Sequence, residues 1–457
     1  MERRYEVRLG ELLNDAVMDP ESLTGMLARL ETFVEPFTAG LQRVEQRDNA
    51  QAYVAGLLSQ AKRKNAETIA YLHDQERQGL QKFIGQAPWD HEPLLMELAR
   101  QVGTALGTPD GVIVFDPSGF PKRGKESVGV QRQWCGRLGK LDNCQVGVYM
   151  AYASSKEHAL VDVRLYLPEE WASDKERRHK CHVPQAVKFR TRHELALQML
   201  DEKGSLLPHA WIAGDDEMGR SSWFRGELRQ RRECYLLAVP SNTLVCPLDA
   251  TPPPYSGRGR QPVVPFQRVD KWCAALPAEA WTKITVRDAE KGPLVIEVVS
   301  MRVTAKTEGR HEGPEELLFV TREPSGPKTF KHDYHFSNAS PETPLAELAR
   351  VQKTEHRVED CLKRAKHEAG LAHYEVRTWA GWHHHQALSL IATWFLTEET
   401  RLGKKNHGGD HRTANSRNDF PVAASQTEHR PSGTDLPQPN SSLAKKRTSQ
   451  VPPLQIT

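Results

Sequence analysis

The sequence predicts an α/β fold, and three observations support this prediction. Over residues 108–243, short apolar runs typical of buried strands alternate with helical patterns. Residues 244–332 add further strand-like runs separated by turns that contain glycine. Residues 1–107 are helical in pattern, with apolar residues at helical spacing at 50–61. We therefore expect a mixed sheet flanked by helices, a β-rich insertion and an N-terminal helical domain.

The composition shifts set the domain boundaries. We predict an N-terminal helical domain at 1–107, the first part of the core at 108–243, the β-rich insertion at 244–332, the second part of the core with a long helix at 333–400, and a disordered polar tail at 401–457.

Composition excludes two broad classes of protein. None of the apolar runs is long enough to span a bilayer, and the N-terminus has no apolar signal core. The seven cysteines are scattered and form no C-x-x-C pair, which favours a reducing compartment over a disulfide framework. We therefore expect a cytoplasmic protein without a membrane partner.

The net charge of +3 hides an uneven distribution. Residues 1–100 carry 12 Lys and Arg against 16 Asp and Glu, a net of −4. Residues 175–192 carry seven basic residues against one acidic residue, and residues 401–457 carry nine against four. Basic segments bind phosphate backbones by releasing counterions, so the near-neutral total does not exclude nucleic acid.

Three acidic residues stand out because of the elements on which they lie. Asp116 closes one predicted strand, Asp215 closes another, and Glu359 lies within the predicted long helix. Acids at strand ends of an α/β sheet point into the ligand crevice, and carboxylate oxygens bind hard divalent cations. The alternative for each acid is a cap or turn residue, and Asp216 is a rival to Asp215.

Several sequence blocks resemble those of bacterial insertion-sequence DDE transposases, in the branch with a β insertion in a ribonuclease H-like core. The resemblance covers roughly residues 40–395. The blocks are 47–50, 63–67 and 88–90 near the N-terminus; 116–122, 127–133, 139–140 and 143–148 around the first aspartate; 211–215 with Gly219 around the second; and 358–361, 365–366, 370–371, 374–377 and 381–382 around the glutamate.

The resemblance implies that Asp116, Asp215 and Glu359 are both the catalytic triad and the metal ligands, with Mg²⁺, or Mn²⁺ in its place, as cofactor. The implied reaction is two-metal cleavage of DNA at the element ends, followed by strand transfer into a target. The implied partners are the terminal inverted repeats, the target DNA and a second copy of the chain. The implied location is the nucleoid of a bacterial cytoplasm.

One position departs from the family pattern. The family's glutamate helix typically carries an arginine four residues before the glutamate and a lysine seven residues after it. Lys366 matches the lysine, but Glu355 occupies the arginine position, and Arg357 lies only two residues before Glu359. This departure motivates an alternative hypothesis, in which the chain is a catalytically inactive relative that only binds DNA.

DNA binding is predicted for the N-terminal domain and for a set of basic residues. These residues are Lys122, Arg123, Lys125, Arg132, Lys188, Arg190, Arg192, Arg357 and Lys366.

Two competing motifs are weaker. Residues 119–126 nearly match a phosphate-binding loop, but Glu126 stands where a hydroxyl is needed and would repel phosphate. The histidines at 383–385, and His179 with Cys181 and His182, could be metal ligands. Consecutive helical positions point in different directions, however, and a second ligand pair is missing. We interpret both groups as polar residues of helix ends and loops.

Overall fold

A computed structural model of the chain describes residues 25–73, 75–289, 292–309, 311–326 and 329–406. These residues belong to one structural unit. The helices are α1 (Met26–Thr38), α2 (Val44–Leu58), α3 (Ala66–Leu72), α4 (Arg77–Gly85), α5 (Glu92–Leu106), α6 (Glu169–Ser173), α7 (Lys175–Lys180), α8 (Arg192–Lys203), α9 (Asp216–Arg220), α10 (Ser222–Gln230), α11 (Val269–Ala274), α12 (Leu345–His367) and α13 (Trp379–Asn406). Within the described ranges, none of the helices is long and apolar enough to cross a membrane.

The strands form one mixed sheet. They are β1 (Val112–Pro121), β2 (Gln131–Cys135), β3 (Lys140–Ala153), β4 (His158–Tyr166), β5 (Trp211–Gly214), β6 (Tyr235–Val239), β7 (Leu244–Pro247), β8 (Gln267–Arg268), β9 (Thr282–Ala289), β10 (Gly292–Lys306), β11 (Glu312–Gly326) and β12 (Thr329–Ser337). Their order is β2-β3-β1-β5-β6-β12-β11-β10-β7-β8, with β4 also on β3 and β9 also on β10. The pairs β1–β5 and β5–β6 are parallel, and the other pairs are antiparallel. The predicted α/β class is confirmed, and the mixed sheet is consistent with a ribonuclease H-like fold.

The first strand is longer than its apolar run predicts. Residues 112–115 are fully buried, as the run of β-branched and aromatic side chains requires. The strand does not end at Asp116, however, because antiparallel pairing with β3 continues from Val112 to Pro121. Asp116 therefore lies within a hydrogen-bonded strand, which fixes its backbone more firmly than a loop would.

The β-rich segment continues the core sheet instead of forming a separate one. Strand β12 pairs with the core strand β6 from Tyr334 to Ser337, and β11 and β10 follow in order. A buried ion pair reinforces this junction, since Arg225 of α10 donates to Glu316 of β11 through Nε at 2.9 Å and Nη2 at 3.1 Å. The insertion and the core thus share one hydrogen-bonded network.

Helix α13 lies against β4 and contacts α2, α4 and α5 of the N-terminal region. The histidines at 383–385 are buried within this helix, so their interpretation as polar helix-end residues is wrong. Nδ1 and Nε2 of His384 lie 3.0 and 2.8 Å from the carbonyl oxygens of Ile84 and Trp89, and its ring stacks on the Trp89 indole. His383 Nδ1 lies 2.9 Å from the carbonyl oxygen of Trp379, and His385 Nδ1 lies 2.9 Å from the Tyr53 hydroxyl, so each buried histidine has a hydrogen-bond partner.

The first and last of the predicted domains lie partly outside the described residues. Residues 1–24 of the predicted helical domain are outside them, as are residues 407–457 of the predicted tail. Helix α13 extends to Asn406, so the first residues assigned to a disordered tail are helical.

Candidate active site

The two predicted aspartates lie side by side just beyond the parallel pairing of β1 with β5. Strands β1 and β5 pair in register from Val112 with Trp211 to Phe115 with Gly214. Asp116 and Asp215 each follow the last of these pairs, so the two residues are level with each other. This is the edge of an α/β sheet where ligand crevices form.

The local backbone separates Asp215 from its rival Asp216. Asp215 caps helix α9, and its Oδ1 accepts the backbone N–H groups of Glu217 and Met218 at 3.1 Å. Asp216 is exposed and pairs with Arg220 on the same helix at 3.4 Å. The glycine four residues after Asp215 has a steric reason, because a Cβ at Gly219 would lie 1.9 Å from the carbonyl oxygen of Ala238. Close packing of α9 on β6 thus holds Asp215 at the strand end.

Both aspartates are partly buried and repel each other. Burial raises the pKa of Asp116 to about 7, although Lys366 acts against this shift. Burial and then the charge of Asp116 raise the pKa of Asp215 to about 8. Two carboxylates in this position share a site that a cation would stabilise.

Helix α12 brings Glu359 and Lys366 to the same place. Both residues line a cavity of about 400 Å³ together with Asp116 and Asp215. Glu359 is exposed, and its carboxylate lies 3.7 Å from His356 Nδ1, which is the main cause of its lowered pKa. Lys366 Nζ donates to Ser118 Oγ at 2.6 Å, and burial lowers the pKa of Lys366.

The same cavity contains two basic residues that the sequence analysis missed. Arg137 lies in the turn between β2 and β3, and Lys363 lies one helical turn after Glu359. The four-residue helical spacing from Glu359 could have identified Lys363. Arg137 lies beside the Gly139 block, but a single exposed arginine in a turn gives no distinguishing signal.

The predicted DNA contacts divide according to their surroundings. Arg123, Lys125, Arg132, Lys188 and Arg190 have exposed side chains. Arg190 also contacts Gln198. Exposure makes these cations accessible to a phosphate backbone, and their contact with DNA stays a prediction.

The other predicted contacts are engaged within the protein. Lys122 Nζ lies 3.4 Å from the centroid of the Tyr374 ring, and burial lowers its pKa to about 8. Arg192 pairs with Glu217 at 2.7 Å and lines a second cavity of about 630 Å³ that adjoins Asp215. Arg357 donates to the carbonyl oxygen of Ser154 at the end of β3.

The phosphate-loop alternative does not match the structure. Gly119, Phe120 and Pro121 are part of strand β1 and pair with β3, so their backbone does not form a loop around an anion.

Cys181, considered above as a metal ligand, is buried, and its Sγ lies 3.3 Å from the carbonyl oxygen of Glu126.

The donor set at the aspartates fits a hard divalent cation. In the described ranges, no group of three or more His, Cys, Asp or Glu side chains is close enough together to enclose an ion. Mg²⁺ does not require such an enclosure, because it retains waters and binds through one or two carboxylates and substrate phosphates. Asp116 and Asp215, partly buried and mutually repelling, satisfy that requirement.

A mixed sheet with two neighbouring aspartates just beyond a parallel strand pair, faced by a glutamate on a crossing helix, is typical of ribonuclease H-like nucleases. The chain belongs to the DDE superfamily endonuclease family, whose profile matches residues 36–293. Members of this family generally use divalent metal ions. The resemblance seen in the sequence is therefore confirmed at the level of the family.

The chain is also similar to a probable transposase for insertion sequence element IS701 from Microchaete diplosiphon. The two are 30% identical over 198 residues, which is 42% of this chain and 48% of the relative. The match thus spans about half the length of the curated relative. The family profile ends at residue 293, before helix α12 with Glu359.

Proposed function

We propose that this chain is a DDE transposase that cleaves DNA at insertion-sequence ends and joins them to a target. The observation that carries the proposal is the cavity at which Asp116 and Asp215 meet Glu359 and Lys366. The family match and the IS701 relative support this assignment. The substrates are the terminal inverted repeats and the target duplex. A homodimer holding both element ends in the nucleoid completes the proposal.

Each residue of the cavity has a distinct task in this mechanism. Asp116, Asp215 and Glu359 would hold Mg²⁺, or Mn²⁺ in its place. When bound, these ions would supply activation of the attacking oxygen and neutralisation of charge on the phosphate. Lys366 is held beside Asp116 by Ser118 and contacts a phosphate or a base of the bound strand. Arg137 and Lys363 attract the flanking phosphates to the cavity mouth.

Incubation of the purified chain with an element-end duplex tests the function. With Mg²⁺ or Mn²⁺, we expect a nick that leaves a 3′ hydroxyl, followed by joined products when target DNA is present. Chelation with EDTA should remove both products. Binding without any nick favours instead the alternative of an inactive DNA-binding relative, for which Glu355 in the arginine position is the motivating observation.

Asp215→Asn and Asp216→Asn form a matched pair that tests which aspartate acts. Each substitution removes one negative charge from adjacent residues, but only Asp215 is held at the strand end by α9. We expect cleavage to fall by about 10³-fold in Asp215→Asn and by less than about threefold in Asp216→Asn. Rates on an end-labelled duplex measure the difference, and the reverse order would reassign the site to Asp216.

DNA binding should weaken steeply with salt, because exposed Lys and Arg release counterions from the duplex. Between 50 and 200 mM salt, we expect a loss of about 10³-fold in affinity by fluorescence anisotropy. The double variant Arg123→Ala/Lys125→Ala should reduce the slope of log K against log salt by roughly 2. Lys271→Ala, at an exposed position of α11, serves as the control. A flat salt response would contradict the role of the basic residues.

A further inference from the structure

The β2–β3 hairpin, residues 131–144, carries exposed apolar side chains beside the candidate site. Trp134 is 53% exposed and Leu141 is 57% exposed, and Leu138 in the connecting turn is exposed as well. Trp134 and Leu141 are directly opposite each other in the antiparallel pairing of β2 with β3, so their side chains lie on the same face of the hairpin. Large apolar side chains that cluster on a surface, instead of occurring singly, indicate contact with a partner.

The opposite face of the hairpin fixes it to the protein. A Cβ at Gly119 would lie 3.0 Å from Cys135 Sγ, so the hairpin packs directly on β1, three residues beyond Asp116. Gln133 Oε1 accepts a hydrogen bond from Arg192 of α8 at 3.1 Å. The exposed face is therefore presented from a fixed backbone next to the candidate site.

The hairpin borders two cavities that meet at Asp215. The cavity of about 400 Å³ and the second cavity of about 630 Å³ both include Gly119, Gly136 and Asp215 in their walls. Gly136 belongs to the turn of the hairpin, Arg137 lines the first cavity and Trp134 lines the second. A polymer that passes Asp215 from one cavity into the other therefore runs along the hairpin.

The charge of the hairpin favours nucleic acid as this polymer. Arg132, Arg137 and Lys140 are exposed, and Asp142 is the only acidic residue in the sequence of the hairpin. Cations that follow a phosphate backbone, together with an aromatic ring on which bases stack, are typical of surfaces that bind single-stranded nucleic acid. A second copy of the chain would instead bring like charges together at this face, which opposes association.

We propose that the β2–β3 hairpin binds unpaired bases of DNA next to the cleaved phosphate, with Trp134 stacked on one of them. The inference rests on the proposed function, since it specifies that the same site accommodates a locally opened duplex. In a closed duplex the faces of the bases are stacked on each other, so an indole reaches one only where the strand is opened. The second cavity is within the usual size range of small-molecule sites and would receive the displaced base.

An anisotropy titration of the full chain with labelled oligothymidylate tests the contact without requiring cleavage. We expect Trp134→Ala to weaken binding by more than about fivefold and Trp134→Phe by less than about twofold, because only the first removes the stacking ring. Neither variant changes a charge, so the slope of log K against log salt should stay the same. Trp223→Ala removes another exposed tryptophan that lines neither cavity, and it should bind like the unaltered chain.

An element-end duplex with mismatched bases beside the cleaved phosphate tests the location of the contact. At saturating protein, Trp134→Ala should nick the fully paired duplex at least about tenfold more slowly than the unaltered chain. On the mismatched duplex its rate should come within about threefold of the unaltered chain, because the bases are already unpaired. A merely structural role of Trp134 would slow the nicking of both duplexes equally and would contradict the inference.

The outcomes separate this inference from the proposed function. Equal affinities of Trp134→Ala and Trp223→Ala for oligothymidylate would overturn the inference. A change of oligomeric state in Trp134→Ala without loss of affinity would also overturn it and assign the hairpin to a protein contact. If the unaltered chain nicks element ends and Trp134→Ala nicks both duplexes normally, the function stands and the hairpin contact does not. If Trp134→Ala loses affinity but the unaltered chain never nicks DNA, the DNA contact stands and the proposed function fails.

Discussion

Asp116→Asn should abolish strand cleavage and leave DNA binding intact. The amide keeps the shape of the carboxylate within strand β1, next to Asp215, but loses the charge that would hold a divalent cation in the proposed mechanism. We expect the nicking rate to fall by at least about 10³-fold, while affinity for the duplex changes by less than about threefold. A gel assay with Mg²⁺ and an anisotropy titration measure the two quantities separately.

A nearby aspartate provides the control for this experiment. Asp110 precedes the same strand and is exposed, with its carboxylate 3.9 Å from Arg350. Asp110→Asn should cleave at a rate close to that of the unaltered chain. Retained cleavage in Asp116→Asn would remove Asp116 from the catalytic set and with it the assignment of the cavity.

Glu316→Ala should destabilise the fold more than any other single change we describe. The Glu316 carboxylate is fully buried and accepts two hydrogen bonds from Arg225, itself only 6% exposed at its side chain. Removal of the acid leaves a buried guanidinium without its counter-ion, at a cost of about 3–5 kcal/mol. Denaturant unfolding followed by circular dichroism should show the loss as a lower midpoint.

Two further variants test whether the buried pair is the cause. Glu315→Ala changes the preceding, half-exposed residue, which pairs with Arg302, and should cost less than about 1 kcal/mol. The double change Arg225→Met/Glu316→Leu removes both charges and should recover most of the stability. An equal loss in Glu315→Ala and Glu316→Ala would show that burial of the ion pair is not what matters.

The elements around the first aspartate show how far sequence patterns reach. Alternation of apolar runs with helical patterns predicts the α/β class, and the structure confirms it. The extension of β1 to Pro121 was not predictable, because it depends on the length of β3, which is distant in sequence. Pairing between strands is a tertiary property that the residues of one strand do not encode.

For the candidate site, helix α12 shows which features sequence patterns predict and which they do not. The resemblance implies that Asp116, Asp215 and Glu359 share one site, and in the structure all three line one cavity. Glu355 stands out in the sequence only as a departure from the family pattern, because its partial burial depends on how α12 packs on the sheet. The burial of the histidines at 383–385 was not predictable for a similar reason, because His384 contacts the carbonyl oxygens of residues 84 and 89 and His385 contacts Tyr53, all of which are distant in sequence.

The pairing of β12 with β6 has a consequence for how the chain folds. Tyr334 and Val239 are adjacent in the sheet, yet almost a hundred residues separate them in sequence. Closing so long a loop costs conformational entropy and slows folding. Until β12 pairs with it, the backbone groups along one edge of β6 have no strand partner. While residues up to 337 are still inside the ribosome, the nascent chain therefore exposes the unpaired edge of β6 and has not yet formed α12. The proposed site is complete only after α12 has been synthesised, so a chain that stops before β12 would lack Glu359 and Lys366 and would leave the edge of β6 open to aggregation.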